Sequence, residues 1–212
     1  MPRTPTAQFS YQHLFEPGAD PAAPPLLLLH GTGGTEHDLV RLGRTLSPGS
    51  ALLSPRGDVS EGGALRFFAR LAEGVFDPAE VRRRTLALAD FVLAASAHYG
   101  INAAKLIAVG FSNGANIAGT LLLLRPETLG GAVLLRPMVV LDQPAAPGSL
   151  AGKRVLLCHG NTDPLVPADH PARLAALLAA GGAVVTARAF PAAHALTPQD
   201  VGAARDWLDG RG

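Results

Sequence analysis

Along this chain, short runs of apolar residues alternate with longer stretches whose apolar positions return every three to four residues. The runs fit buried strands and the longer stretches fit helices, so their alternation predicts an α/β fold built on a mostly parallel sheet. The predicted strands are residues 25–29, 51–54, 106–109, 131–135, 154–158 and 183–189, with 8–15 as an antiparallel edge strand ahead of them. Leu26-Leu27-Leu28-Leu29 and Val155-Leu156-Leu157 are unbroken apolar runs. A parallel strand covered by helices on both faces has no polar side to alternate with, so these two are expected at the centre.

Helix starts are marked by capping chemistry. Asp77-Pro78-Ala79-Glu80 supplies a capping carboxylate, a proline at the first helical position and a glutamate at the third, opening a helix expected to run to about residue 98. Thr197-Pro198-Gln199-Asp200 repeats that logic for a last helix, with Trp207 and Leu208 facing inward. Residues 113–124 and 167–180 complete the main helices, and 37–46 carries a fainter helical pattern. The Pro/Gly-rich stretch 143–148 is expected to be a surface loop, because strands of one type lie on either side of it. Residues 57–77 form a longer connection than usual, the kind that tends to carry function, and are the candidate for a flap.

Composition narrows the classes of function. With 48% apolar residues in a chain of 212, one domain over 1–212 is expected. A net charge of +1, from 18 basic and 17 acidic residues, gives no electrostatic footprint for nucleic acid or an anionic membrane; a small molecule is the expected partner. Cys158 is the only cysteine, which excludes an intramolecular disulfide. Residues 1–11 lack the apolar core of a secretory signal and no later run is long enough for a membrane span, so a cytoplasmic location is expected.

The chemistry is concentrated in Gly110-Phe111-Ser112-Asn113-Gly114, a G-x-S-x-G pattern between an expected strand and an expected helix. A sharp turn of that kind lifts a serine hydroxyl clear of the sheet and needs glycines where the chain crosses itself. A serine requires a base and a group to orient the base. Asp163, beyond the strand 154–158, and His194, beyond the strand 183–189, supply them in the order Ser, Asp, His. Asp142 and Asp169 are local rivals to Asp163, and an Asx-type turn before Pro164 is the structural alternative for it. Ser112 read alone would be a helix cap. His30-Gly31-Thr32-Gly33-Gly34 reads as an oxyanion loop, giving the backbone N–H groups of Thr32 and Asn113 as the hole.

Phe67, Phe68, Phe76 and Met138 are expected either to line an acyl pocket or to anchor the core. Arg56 either steers a substrate carboxylate or pairs with Asp58 or Glu61. His30 and His159 lack a third ligand at suitable spacing, so no metal is expected, and the glycine-rich loop lacks the G-K-[ST] of a phosphate cradle.

These residues resemble the small phospholipase/carboxylesterase branch of the α/β-hydrolase superfamily, which includes acyl-protein thioesterases. Leu29-His30-Gly31, Ser54-Pro55-Arg56-Gly57, Arg136-Pro137-Met138, His159-Gly160 and Asp163-Pro164-Leu165-Val166-Pro167 carry the likeness beyond the elbow. Asn113 stands where many relatives have Gln, and Ala193 stands where a glycine is common before the histidine. The resemblance implies an α/β-hydrolase fold without a separate cap domain, needing no cofactor and often a homodimer. The expected activity is hydrolysis of short to medium acyl esters, or of thioesters or lysophospholipids, through an acyl-Ser112 intermediate. A non-catalytic small-molecule binding module on the same shell, or a serine peptidase with the same triad, are the alternatives.

Overall fold

A computed structural model describes residues 9–211. The main sheet has seven strands, β1 (His13–Glu16), β2 (Leu26–Leu29), β3 (Leu52–Pro55), β6 (Ile107–Phe111), β7 (Gly131–Leu135), β8 (Arg154–Gly160) and β9 (Val184–Phe190), while β4 (Val59–Glu61) and β5 (Ala64–Arg66) form a separate hairpin. The order across the main sheet is β1-β3-β2-β6-β7-β8-β9. Only β1 is antiparallel, pairing His13 with Pro55 and Glu16 with Leu52; the rest run parallel. Residue 8, included in the expected first strand, lies outside the described residues, and the strand itself begins at His13.

Both faces of the sheet are covered, which explains the unbroken leucine run of β2. Leu27 and Leu29 join the core beneath α2 (Pro78–Tyr99), α3 (Asn113–Leu124) and α4 (His170–Ala180). Leu26 and Leu28 join a second core with Trp207, under α1 (Val40–Leu46) and α5 (Pro198–Leu208). Every side chain of β2 is therefore buried.

The caps act as their residue types require. Asp77 accepts from the N–H of Ala79 at 2.9 Å, and α2 ends at Gly100 in the left-handed conformation. Thr197 and Asp200 form a reciprocal capping box at the start of α5. Two helices start later than the pattern suggests. In α4 residues 167–169 form a turn of their own, closed by the His170 N–H donating to Pro167 O at 3.0 Å, and the helix begins at His170, just before Pro171. In α1 the preceding residues are drawn into other bonds, Thr35 locally to Asp38 and Glu36 to the distant Arg56, before the helix opens at Val40.

The long connection 57–77 holds a hairpin that the apolar pattern does not reveal, β4 (Val59–Glu61) paired with β5 (Ala64–Arg66) through Gly62 and Gly63, both at positive φ. Its strands are short and half-exposed, so they lack the buried run that marks the others. Among the described residues no helix is long and apolar enough to cross a membrane.

Candidate active site

The order in which strands are added to the sheet reverses between the parallel neighbours β2 and β6: the chain goes from β2 to β3 on one side and from β6 to β7 on the other. The crevice beyond the carboxyl ends of two such strands is where open α/β sheets collect ligand-binding groups. Thr32 follows β2 and Ser112 follows β6, so both candidate groups open into it.

The turn at Ser112 is tight enough to dictate its neighbours. Ser112 has φ 51° and ψ −115°, a conformation that side chains rarely adopt. A Cβ on Gly110 would lie 2.5 Å from the carbonyl oxygen of Gly114, and one on Gly114 would lie 1.9 Å from that of Leu29. The turn at Ser112 is therefore pressed against the start of the glycine-rich loop 30–34. The Ser112 N–H donates to Leu135 O at 2.9 Å, fixing the turn to β7. Asn113 uses its side chain to brace the neighbouring segment, accepting from the Phe67 N–H at 2.8 Å; Asn116 does the same for Met138 at 2.8 Å.

Three residues from separate strand ends meet here. His194 Nε2 lies 2.9 Å from Ser112 Oγ, and His194 Nδ1 lies 2.7 Å from Asp163 Oδ2. Because a carboxylate only accepts, this network puts the proton on Nδ1 and turns the Nε2 lone pair toward the serine hydroxyl. The Asp163 side chain is 1% exposed and that of His194 is 22% exposed, so the carboxylate is shielded while the imidazole reaches the crevice. Asp163 also makes the Asx-type turn through its other oxygen, so both sequence readings of it hold geometrically. The rivals Asp142 and Asp169 are exposed and bonded to Arg173. The loop carrying His194 can lie across the end of β8 only because residue 160 is glycine; a Cβ there would be 2.2 Å from Ala192 O.

The N–H groups of Thr32 and Asn113 have no acceptor among the described residues, leaving both available to a ligand. His30 holds this loop in place, donating from Nδ1 to Gly31 O at 2.7 Å and accepting at Nε2 from the Gly57 N–H at 2.9 Å. Burial pushes its pKa below the ordinary histidine value, in keeping with a neutral ring. Cys158 is buried in the sheet, and burial pushes its thiol up to about 12, which makes it a poor nucleophile.

A cavity of about 280 Å³ opens at the serine, bounded by Thr32, Asn116, Met138, Leu165, Phe76 and His194, with Arg66, Arg70 and Glu73 at its side. A larger depression of about 740 Å³ lies toward the opposite ends of the strands, near Pro25 and Lys105, remote from these groups. Of the residues expected in an acyl pocket, Phe76 and Met138 line the cavity. Phe67 and Phe68 do not: both are fully buried, Phe67 against the His30 ring and Phe68 edge-on behind Phe76. Arg56 is also outside the cavity, and its partner is neither Asp58 nor Glu61. It is bidentate to the buried carboxylate of Glu36, which would otherwise be an unpaired charge. Arg66, Arg70 and Glu73 belong to no motif in the sequence, and Leu165 figures there only within Asp163-Pro164-Leu165-Val166-Pro167, not as a pocket residue. The first three sit in the long connection 57–77, where length was the only signal.

The sheet order, the strand-elbow-helix at Ser112 and the glycine loop after β2 define an α/β hydrolase. The chain belongs to the phospholipase/carboxylesterase family, whose model matches residues 73–210. It is 42% identical over 196 residues to MhqD of Bacillus subtilis (strain 168), a hydrolase by name, covering 92% of this chain and 96% of that one. Its fold matches the crystal structure of the Bacillus cereus carboxylesterase with a TM-score of 0.91 at 40% identity, over 96% of this chain and 95% of that one. A carboxylesterase from Mesorhizobium loti matches with a TM-score of 0.89 at 33% identity, over 97% of each chain.

Proposed function

We propose that this chain is a serine carboxylesterase that cleaves short to medium acyl esters through an acyl-Ser112 intermediate. The observation that carries the reading is the continuous chain of contacts from Asp163 through His194 to Ser112, at 2.7 and 2.9 Å. Ser112 Oγ attacks the ester carbonyl carbon as His194 Nε2 takes its proton, and Asp163 stabilises the imidazolium that forms. The carbonyl oxygen becomes an oxyanion facing the free N–H groups of Thr32 and Asn113, each such donor being worth about 3 to 4 kcal/mol of barrier. Collapse breaks the bond to the alcohol oxygen, which receives the proton from His194. Water, deprotonated by the same imidazole, then attacks the acyl-enzyme and releases the acid and the serine.

The cavity supports the size of the acyl group. At about 280 Å³ it lies at the small end of ligand sites, and its apolar wall is confined to Phe76, Met138, Leu165 and Phe111. Thioesters and lysophospholipids present the same acyl carbonyl and fall within the same chemistry. A series of nitrophenyl esters of rising chain length, run beside peptide amides, tests the proposal. It predicts the highest kcat/KM among the shorter esters, no amide cleavage, and loss of turnover in Ser112→Ala. Ester hydrolysis that survives Ser112→Ala, or absence of hydrolysis on every ester, would overturn it.

A further inference from the structure

Arg136 and Asp200 are each 0% exposed, and they form a bidentate pair at 2.6 and 2.8 Å in the interior behind the site. Burial opposes ionisation of Asp200, but hydrogen bonds from Arg136 and Thr197 outweigh it and hold its carboxyl below the ordinary range. A buried ion pair is a weak source of stability, often matched or exceeded by apolar residues of the same volume, so stability alone is a poor account of this one.

The remaining contacts of Arg136 supply a better account. Its Nε donates to Ala193 O and its Nη2 to Ala195 O, both at 3.0 Å, gripping the backbone on either side of His194. Its own N–H donates to Cys158 O at 2.8 Å, on the strand that leads to Asp163. The residue before it, Leu135, accepts the Ser112 N–H at 2.9 Å. Arg136 reaches all of these from φ 56°, in the left-handed region, where a residue with a side chain is held at a cost. Asp200, the other half of the pair, caps α5 and so ties the helix that follows the His194 loop to the same point.

We infer that Arg136 is a positioning residue for the reaction: it sets the height and orientation of His194 by holding the carbonyls of Ala193 and Ala195, and it joins the supports of Ser112, Asp163 and His194 at one residue. Only a planar guanidinium can donate to both carbonyls and both carboxylate oxygens together. The inference rests on the triad reading above.

The test compares Asp200→Asn, which keeps the donors to the two carbonyls, with Arg136→Met/Asp200→Asn, which removes them without leaving a buried carboxylate alone. On a short nitrophenyl ester the double variant is expected to lose about 10- to 100-fold in kcat relative to Asp200→Asn, with KM within about twofold, because a displaced base slows proton transfer and leaves substrate binding intact. Labelling of Ser112 by a fluorophosphonate is expected to slow by the same factor. Equal kcat in the two variants would overturn the inference. Should the double variant fail to fold, Arg136→Lys serves: its ammonium still neutralises Asp200 but cannot span both carbonyls. A kcat equal to that of wild type in that variant would also overturn it. Wild type that resists the fluorophosphonate would instead defeat the triad reading itself, so the two failures are separable.

Discussion

Glycine at position 112 should give a more stable protein than alanine at position 112, although both abolish turnover. Ser112 is held at φ 51° and ψ −115°, and a side chain forced into such a region costs about 1–3 kcal/mol. Ser112→Ala retains that cost. Ser112→Gly removes it but gives the unfolded chain extra freedom, worth about 0.4–1 kcal/mol in the opposite direction. Both variants lose the hydrogen bond to His194 Nε2, so that loss cancels in the comparison. The glycine variant should therefore be the more stable by roughly 1 to 2 kcal/mol. For a chain of this size such a difference raises Tm by about 2 to 8 °C. Differential scanning calorimetry of the two variants under one buffer reads the gap directly. An alanine variant that melts at or above the glycine variant would refute the idea that the elbow stores strain to present its hydroxyl.

Three further outcomes follow from other parts of the site. Gly114→Ala should destabilise by at least the roughly 1–3 kcal/mol of overpacking and lower turnover, because its Cβ would sit 1.9 Å from Leu29 O; Gly202→Ala, in an exposed stretch of α5 with open space around it, should instead gain up to about 1 kcal/mol, and urea melts compare the two. Neutral His30 accepts the Gly57 N–H, so its lowered pKa means that the unfolded chain takes up a proton first as pH falls through the ordinary histidine value of 6.5. Its contribution to stability is full above that value and is lost below it; His30→Gln should flatten part of the slope of urea-melt stability between about pH 5 and 7, the rest coming from His159 and His170, which burial also pushes down, and an unchanged slope would contradict this. Phe76→Ala should move the ester preference toward longer chains, since each methylene accommodated is worth about 1–3 kcal/mol, while an unchanged chain-length profile would mean that Phe76 does not bound the acyl group.

How much of this could be read from the residues depended on how local the physics was. The leucines of β2 announce a strand buried on both faces because the run is short and stands alone between Pro24-Pro25 and His30-Gly31, whereas the equal run Leu121–Leu124 ends a longer helical stretch; all four leucines of β2 are buried. The caps at Asp77 and Thr197 were equally legible, since each is a bond between near neighbours. Ser112, Asp163 and His194 could be named as candidates because each stands at a strand end in a recognisable local setting, and it is the fold that brings their side chains together. What escaped depended on distant partners. Arg56 pairs with Glu36, on the loop after another strand, and no spacing rule connects residues 20 apart in sequence. Phe67 and Phe68 look alike as pocket or core residues, and the outcome turns on how the β4-β5 hairpin folds back over His30. The hairpin itself was hidden because its short strands bury too little to leave an alternating pattern.

The most direct measurement is the mass of the intact protein after reaction with a fluorophosphonate at neutral pH, followed by peptide mapping. A single adduct is expected, formed with loss of fluoride and carried by the peptide containing Ser112, with none in Ser112→Ala and much slower formation in His194→Ala. An adduct elsewhere, or one that forms at the same rate without His194, would contradict the claim that the imidazole 2.9 Å from the serine hydroxyl is what makes it react.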